Sequence, residues 1–183
     1  MNMICHPLRG VCVVLNLVGH HLESKEWCSP GLTKALLPDT VRVVYKSGVE
    51  TDEREDALPI VSYKIAEIAM EPFLLQGVPS DKTITDVSVG LVFTVSTTSE
   101  ALTSELCLEL GGLLMANHAD LRGCDIFINK VTIGDVKKDA TGYYIATVGV
   151  GAVLNRPVWK KSSSNDILRE ISIKVSGGNT AVN

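Results

Sequence analysis

Residues 86–110, DVSVGLVFTVSTTSEALTSELCLEL, hold the reading on which the fold turns. In residues 86–96, Val87, Val89, Leu91, Phe93 and Val95 share one face, and Ser88, Gly90, Thr94 and Ser96 make up most of the other. Such alternation marks a strand with one buried face. Thr97 and Glu100 then form a T-x-x-E capping box in front of an apolar stretch that runs to His118, which predicts a helix. Residues 125–134 and 142–154 are two further strand-like runs, and the last leads into Asn155-Arg156-Pro157-Val158-Trp159. The order over residues 86–159 is therefore strand, helix, strand, strand. No side chains along it are spaced for chemistry, which points to assembly rather than catalysis.

Composition bounds the answer. A chain of 183 residues suits one domain with extensions. A hydrophobic share of 45% supports a real core, and the charged share of 21% is thin, as it is where other subunits cover part of the surface. A net charge of −4 argues against wrapping nucleic acid, which needs a basic stripe. The five cysteines, Cys5, Cys12, Cys28, Cys107 and Cys124, are odd in number, scattered and without C-x-x-C. They read as reduced thiols of a protein made in the cytoplasm.

Residues 11–18 (VCVVLNLV) resemble a signal-peptide core, but they carry Asn16, have little positive flank and lack a small-residue cleavage site. The apolar stretch is also short for a membrane span. Leu8, Val11, Cys12, Leu15, Val18, Gly19 and Leu22 recur at helical spacing behind Pro7, which predicts a buried helix over about residues 7–23. The β-branching of this stretch makes a strand the alternative.

Residues 24–39 read as a loop, and residues 40–46 (TVRVVYK) as a strand. A polar turn follows over residues 47–56. Residues 58–70 are extended, with Val61, Tyr63 and Ile65 on one parity and Ile68 and Met70 on the other, so a bulge is expected between them. A helix over residues 60–71 also fits, and Pro72 is expected to end either element. Residues 160–165 (KKSSSN) are linker-like. Beyond them Ile167, Arg169, Ile171, Ile173 and Val175 alternate with polar or opposite-face residues, the pattern of one more strand.

Candidate chemistry is sparse. His20 and His21 are adjacent, so on a helix they diverge by about 100° and make poor metal ligands. No G-x-S-x-G, P-loop or G-x-G-x-x-G occurs, and Cys107 and Cys124 read as core cysteines. Gly149 and Gly151 lie within a strand, where small residues imply close packing by a backbone or a bulky side chain. Gly111-Gly112 is expected to break the helix locally. Asp52, Glu53, Glu55 and Asp56 read as a solvated hairpin tip or, in a ring around DNA, as an acidic lumen or rim that prevents sticking. No catalytic, cofactor-binding or metal-binding residue is assigned.

The predicted helix carries two apolar stripes. Leu102, Leu106, Leu110 and Leu113 suit packing on the sheet. Ala101, Leu108 and Met115 recur every seven residues on another side, with Glu105 and Glu109 between the two. The second stripe must meet either the N-terminal helix or another subunit.

In this order the elements resemble the tail terminator (tail completion) proteins of long-tailed bacteriophages, the lambda-type group. The resemblance rests on DVSVGLVFTVS, TTSEALTSELCLELGGLLMANHADLRG, DIFINKVTIGDV and GYYIATVGVGAVLNRPVW, and covers about residues 40–159. It is a likeness of element pattern and transfers no motif residues. It implies an α+β fold: an antiparallel-dominated β-sheet with two main helices packed on it, residues 1–159 as the domain and 160–183 as linker and extension. It also implies a homo-oligomeric ring, usually a hexamer, that caps the tail tube, ends its polymerisation and joins the head connector. Its partners would be the tube protein and a head-side neck protein; DNA would pass through unbound, and no membrane, cofactor or enzymatic activity is involved. The protein would reside in the virion neck.

Ala101, Leu108, Met115, Ile171, Ile173 and Val175 are then the subunit-interface candidates, the last three as a strand added to an edge outside their own core. Two alternatives stand beside this reading. One is another neck, connector or tail component. The other is a small α+β ligand-binding domain or enzyme with a pocket between sheet and helices.

Overall fold

The alternating stretch becomes the central strand of a mostly antiparallel sheet. A computed structural model describes residues 9–36, 43–47, 59–73 and 82–160. Its elements are α1 (Arg9–Ser24), α2 (Pro30–Ala35), β1 (Val44–Ser47), β2 (Ile60–Phe73), β3 (Lys82–Thr97), α3 (Glu100–Ala116), α4 (His118–Gly123), β4 (Ile126–Ile133), β5 (Lys137–Lys138) and β6 (Tyr144–Lys160). The α+β class read from the sequence is the class observed.

The strand order is β1-β2-β3-β6-β4, with β5 pairing β6 beside β4. Only the β1–β2 pair is parallel. Besides a register shift at Val158 near the end of β6, two irregularities lie in mid-sheet, at Ala66 between Ile65 and Glu67 in β2, and at Asn129 between Ile128 and Lys130 in β4. Both fall beside the central Gly90–Gly151 pair. The row through that pair runs Glu67, Gly90, Gly151, Lys130 across the sheet. The rows flanking it run Ile68, Val89, Ala152, Ile128 and Ile65, Leu91, Val150, Val131.

One face of the sheet is buried: Val87, Val89, Leu91, Phe93 and Val95 of β3 lie beside Ala146, Val148, Val150, Ala152 and Leu154 of β6. Both long helices cover this face. A Cβ at Gly10 of α1 would meet Leu154 and Ile126, and one at Gly19 would meet the Tyr45 ring at 3.1 Å, so α1 crosses from the β6–β4 side to β1. There Tyr45 Oη donates to the Leu15 carbonyl at 3.0 Å. Val11, Val14, Leu15, Val18 and Leu22 of α1 are buried, which fixes it as a helix rather than a strand. Leu106, Leu110 and Leu114 of α3 fill the neighbouring part of the core, and Leu102 and Leu113 pack at its margin.

Several expectations are corrected. The cap of α3 is Ser99, not Thr97, and no capping box forms with Glu100. Thr97 is still in β3, paired with Tyr144. Its hydroxyl accepts from the Ser99 N–H at 3.0 Å and bonds the Thr103 hydroxyl at 2.8 Å, joining strand end to helix start. Residues 24–39 are not all loop, because α2 lies within them, capped by the Ser29 side chain. Pro72 does not end β2, which continues to Phe73 with Pro72 opposite Thr85. Gly111-Gly112 does not break α3, which runs through both.

Cys107 is a core cysteine, but Cys124 is exposed. The bulge in β2 and the extended form of that segment are as read from its parity switch. Among the described residues no helix is long and apolar enough to cross a membrane.

Candidate functional site: an apolar groove beside a strand edge

Helix α3 has three faces with three roles. The leucine stripe seals the core, as above. A second side is polar and anchored. Glu109 is buried, 7% exposed, and its carboxylate accepts from the Cys28 N–H at 2.8 Å and the Ser29 N–H at 3.0 Å. His21 Nε2 of α1 lies 3.0 Å from the same carboxylate. One turn earlier, Glu105 accepts from the Ser29 hydroxyl. The His21 ring meets Trp27 edge-on at 5.5 Å. Glu109 thus ties the end of α1 and the start of α2 to α3, pairing two successive part-buried backbone donors.

This cluster brings together a histidine, a serine and two carboxylates, yet both Ser29 groups are committed to the carboxylates and Ser29 caps α2. The geometry is that of a structural tie. Among the described residues no group of three or more His, Cys, Asp or Glu is placed to hold a metal ion.

The third side of α3 is apolar and open. Leu108 and Met115 are 57% and 55% exposed, so α1 does not cover them. The N-terminal helix is therefore not the partner of the second stripe. Both side chains line a shallow groove of about 640 Å³ whose floor is Gly111 and whose far wall is Ile128, Val131 and Ile133 of β4. Gly111 sets the width: a Cβ there would sit 3.3 Å from Ile133 Cδ1. Ile133 is itself 44% exposed. Along the wall runs the outer edge of β4, which among the described residues pairs only with β6. The groove thus offers apolar side chains beside unpaired backbone donors and acceptors, the two ingredients of strand addition.

Of the residues singled out from sequence, the structure brings Leu108 and Met115 into this groove. Ala101 is exposed on the same helix but does not line it. Ile171, Ile173 and Val175, and Asp52, Glu53, Glu55 and Asp56, lie outside the described residues. Sequence reading missed Glu109 as a tie, because its partners stand about eighty positions away. The one available signal was a carboxylate between two apolar stripes. It also missed the groove's β4 wall, because the exposure of Ile133 on an outer strand is visible only once the strands are ordered.

Comparison of the chain with known protein families and with curated proteins finds no match.

Proposed function

We propose that the protein is a structural, assembling component of a phage tail, of the tail-terminator type, working as a homo-oligomeric ring that caps the tube and joins it to the neck. The observation that carries the assembly part is the open face of α3: Leu108 and Met115 are large, apolar and exposed beside a strand edge that has no partner among the described residues. Completing the burial of these half-exposed side chains would gain roughly half of the about 1.5–3 kcal/mol of a full transfer for each, which favours their being covered by another chain. The tail-terminator part rests on the resemblance in element order. The α+β fold with both helices on one sheet face agrees with it.

In this reading the protein has no catalytic task, no cofactor and no metal. The acidic residues Asp52, Glu53, Glu55 and Asp56 line or rim the lumen and keep passing DNA from sticking. Ile171, Ile173 and Val175 serve as a strand offered to an adjoining neck or tail protein.

Native mass spectrometry of the purified chain, with electron microscopy of tails carrying it, tests the reading. A closed ring, in solution or at the tube tip, is the expected result. A monomer in solution together with no ring on tails overturns it. A second reading, a ligand pocket between sheet and helices, has less behind it, since the groove is open and mostly apolar.

A further inference from the structure

Large apolar side chains that are exposed among the described residues number four, Ile68, Leu108, Met115 and Ile133. They are not scattered. Leu108, Met115 and Ile133 flank the free edge of β4, at one end of the sheet. Ile68, 46% exposed, stands on β2 at the opposite end. Its strand is covered by β1 only from Ile60 to Tyr63, so from Ile65 onward β2 is a second free edge among the described residues.

These two edges match in height, face, polarity and charge. Ile68 shares its row with Ile128, and Ile65 shares the next with Val131. Each pair lies on the helix-covered face, because the residues between them, Val89 with Ala152 and Leu91 with Val150, are buried there. Strand β4 is antiparallel to β6, β6 to β3 and β3 to β2, so β2 and β4 run in opposite directions. A second copy set beside the first in the same orientation would extend the sheet antiparallel, with both helix layers on one side.

Between the two apolar rows lies Glu67, Gly90, Gly151, Lys130. It ends in an exposed carboxylate at one edge and an exposed ammonium at the other. Within one chain three inter-strand steps of about 4.8 Å separate them. Between adjacent copies they are neighbours. The irregularities flank this row, Ala66 on the side of the Leu91–Val150 pair and Asn129 on the side of the Val89–Ala152 pair, so each edge leaves regular pairing next to its charged residue.

We infer that the free β4 edge and the α3 groove of one copy receive the β2 edge of a second copy, with Ile68 entering the groove and Glu67 pairing with Lys130. The inference deepens the assembly reading and rests on it only in that copies of this chain associate. The contact is heterologous: each copy gives one edge and receives on the other. Repetition of such a contact closes into a ring when the rotation permits. The other possible occupant of the β4 edge is the alternating segment 167–175, and the experiment separates the two.

Five full-length variants and the wild type are compared by native mass spectrometry and sedimentation, each checked for folding by circular dichroism. E67K and K130E should each weaken association about tenfold or more, since each sets like charges together, and the double variant E67K/K130E should restore it. I68E and L108E/M115E should each fail to form rings alone. Mixed, they should give a one-to-one dimer that grows no further, because only one competent edge of each kind remains.

A wild-type ring that survives E67K, K130E and I68E overturns this contact while leaving the assembly reading intact. So does a ring abolished by removal of residues 161–183 but not by I68E, which would give the β4 edge to the chain's own tail. Two mixed variants that stay monomeric overturn the heterologous arrangement. A wild-type chain that stays monomeric under every condition, tails included, removes both.

Discussion

Glu109 carries more of the tertiary structure than any other charged side chain described. Its carboxylate is nearly excluded from water and takes hydrogen bonds from two successive backbone N–H groups as well as facing His21. Glu109→Ala removes the acceptor of two part-buried N–H groups and the partner of His21, so a loss of about 1–3 kcal/mol in urea unfolding is expected. Glu109→Gln keeps one acceptor oxygen and should lose about half as much. None of this could be read from sequence, where Glu109 is one of 21 acidic residues and its partners are far along the chain. Cys107 was legible, as a cysteine in an apolar helix middle. Burial pushes its thiol from 9.0 up to about 11, and burial also raises the Tyr45 hydroxyl, with Tyr63 adding to the effect. Above pH 9 the unfolded chain gives up protons that the folded chain keeps. Stability is therefore full below about pH 9 and falls as pH rises toward 11. Urea midpoints measured across that range should decline, and Cys107→Ala should flatten part of the slope. In native protein at neutral pH, iodoacetamide should label the exposed Cys28 and Cys124 and spare Cys107.

At the scale of elements, pattern was legible wherever one face meets the core. The alternation of β3 and the parity switch in β2 gave strand and bulge because side-chain direction follows backbone period two. Where a local motif competed with pairing, pairing won. Thr97 satisfies the capping motif, but its pairing with Tyr144 holds it in the strand, so the cap moves to Ser99. Among the described residues Pro72 lies on an outer strand, the place in a sheet where proline is tolerated, and the strand passes through it. The glycines divide in the same way by surroundings. A Cβ at Gly112 meets nothing, so Gly112→Ala should stabilise α3 by about 0.5–1 kcal/mol. A Cβ at Gly149 would sit 2.7 Å from Thr132 Oγ1, and one at Gly151 would sit 2.5 Å from Asn129 Oδ1. Alanine there should destabilise by displacing the β4 side chains that lie across β6, and thermal unfolding of the three variants tests both signs. On α3, Leu106→Ala should cost about 2–5 kcal/mol. The exposed pair in L108E/M115E should leave the monomer's stability within about 1 kcal/mol of wild type, because only solvent-facing positions change. Unfolding of that double variant would show that the stripe has an intramolecular partner.

At the scale of the whole molecule, the described strands form one layer with the two long helices on one face, and among the described residues an edge is left open at each end. A monomer would gain from blunting such edges, and charged residues and bulges on both strands do part of that. Here the same devices stand at one row on the two ends, and apolar rows flank them on both sides. Complementary charge contributes more to encounter and register than to final affinity. Ring formation should accordingly slow as salt is raised through the range where the screening length falls from about 10 Å to 3 Å. A finished ring of the proposed kind, which would be held by apolar burial and main-chain hydrogen bonds, should persist. Among the described residues, the core gathered from α1, α3 and the sheet draws on residues between Val11 and Leu154. On the proposed reading, in which residues 161–183 are offered to a neighbouring protein, a chain ending at Lys160 should unfold within about 1 kcal/mol of the full-length protein and form the same ring. What it should lose is attachment: tails assembled with the truncated chain should carry the ring but join heads poorly, or bind it weakly at the tube tip. A large fall in monomer stability on truncation would instead place residues 161–183 in the subunit's own core, and loss of the ring alone would place them at the contact between copies.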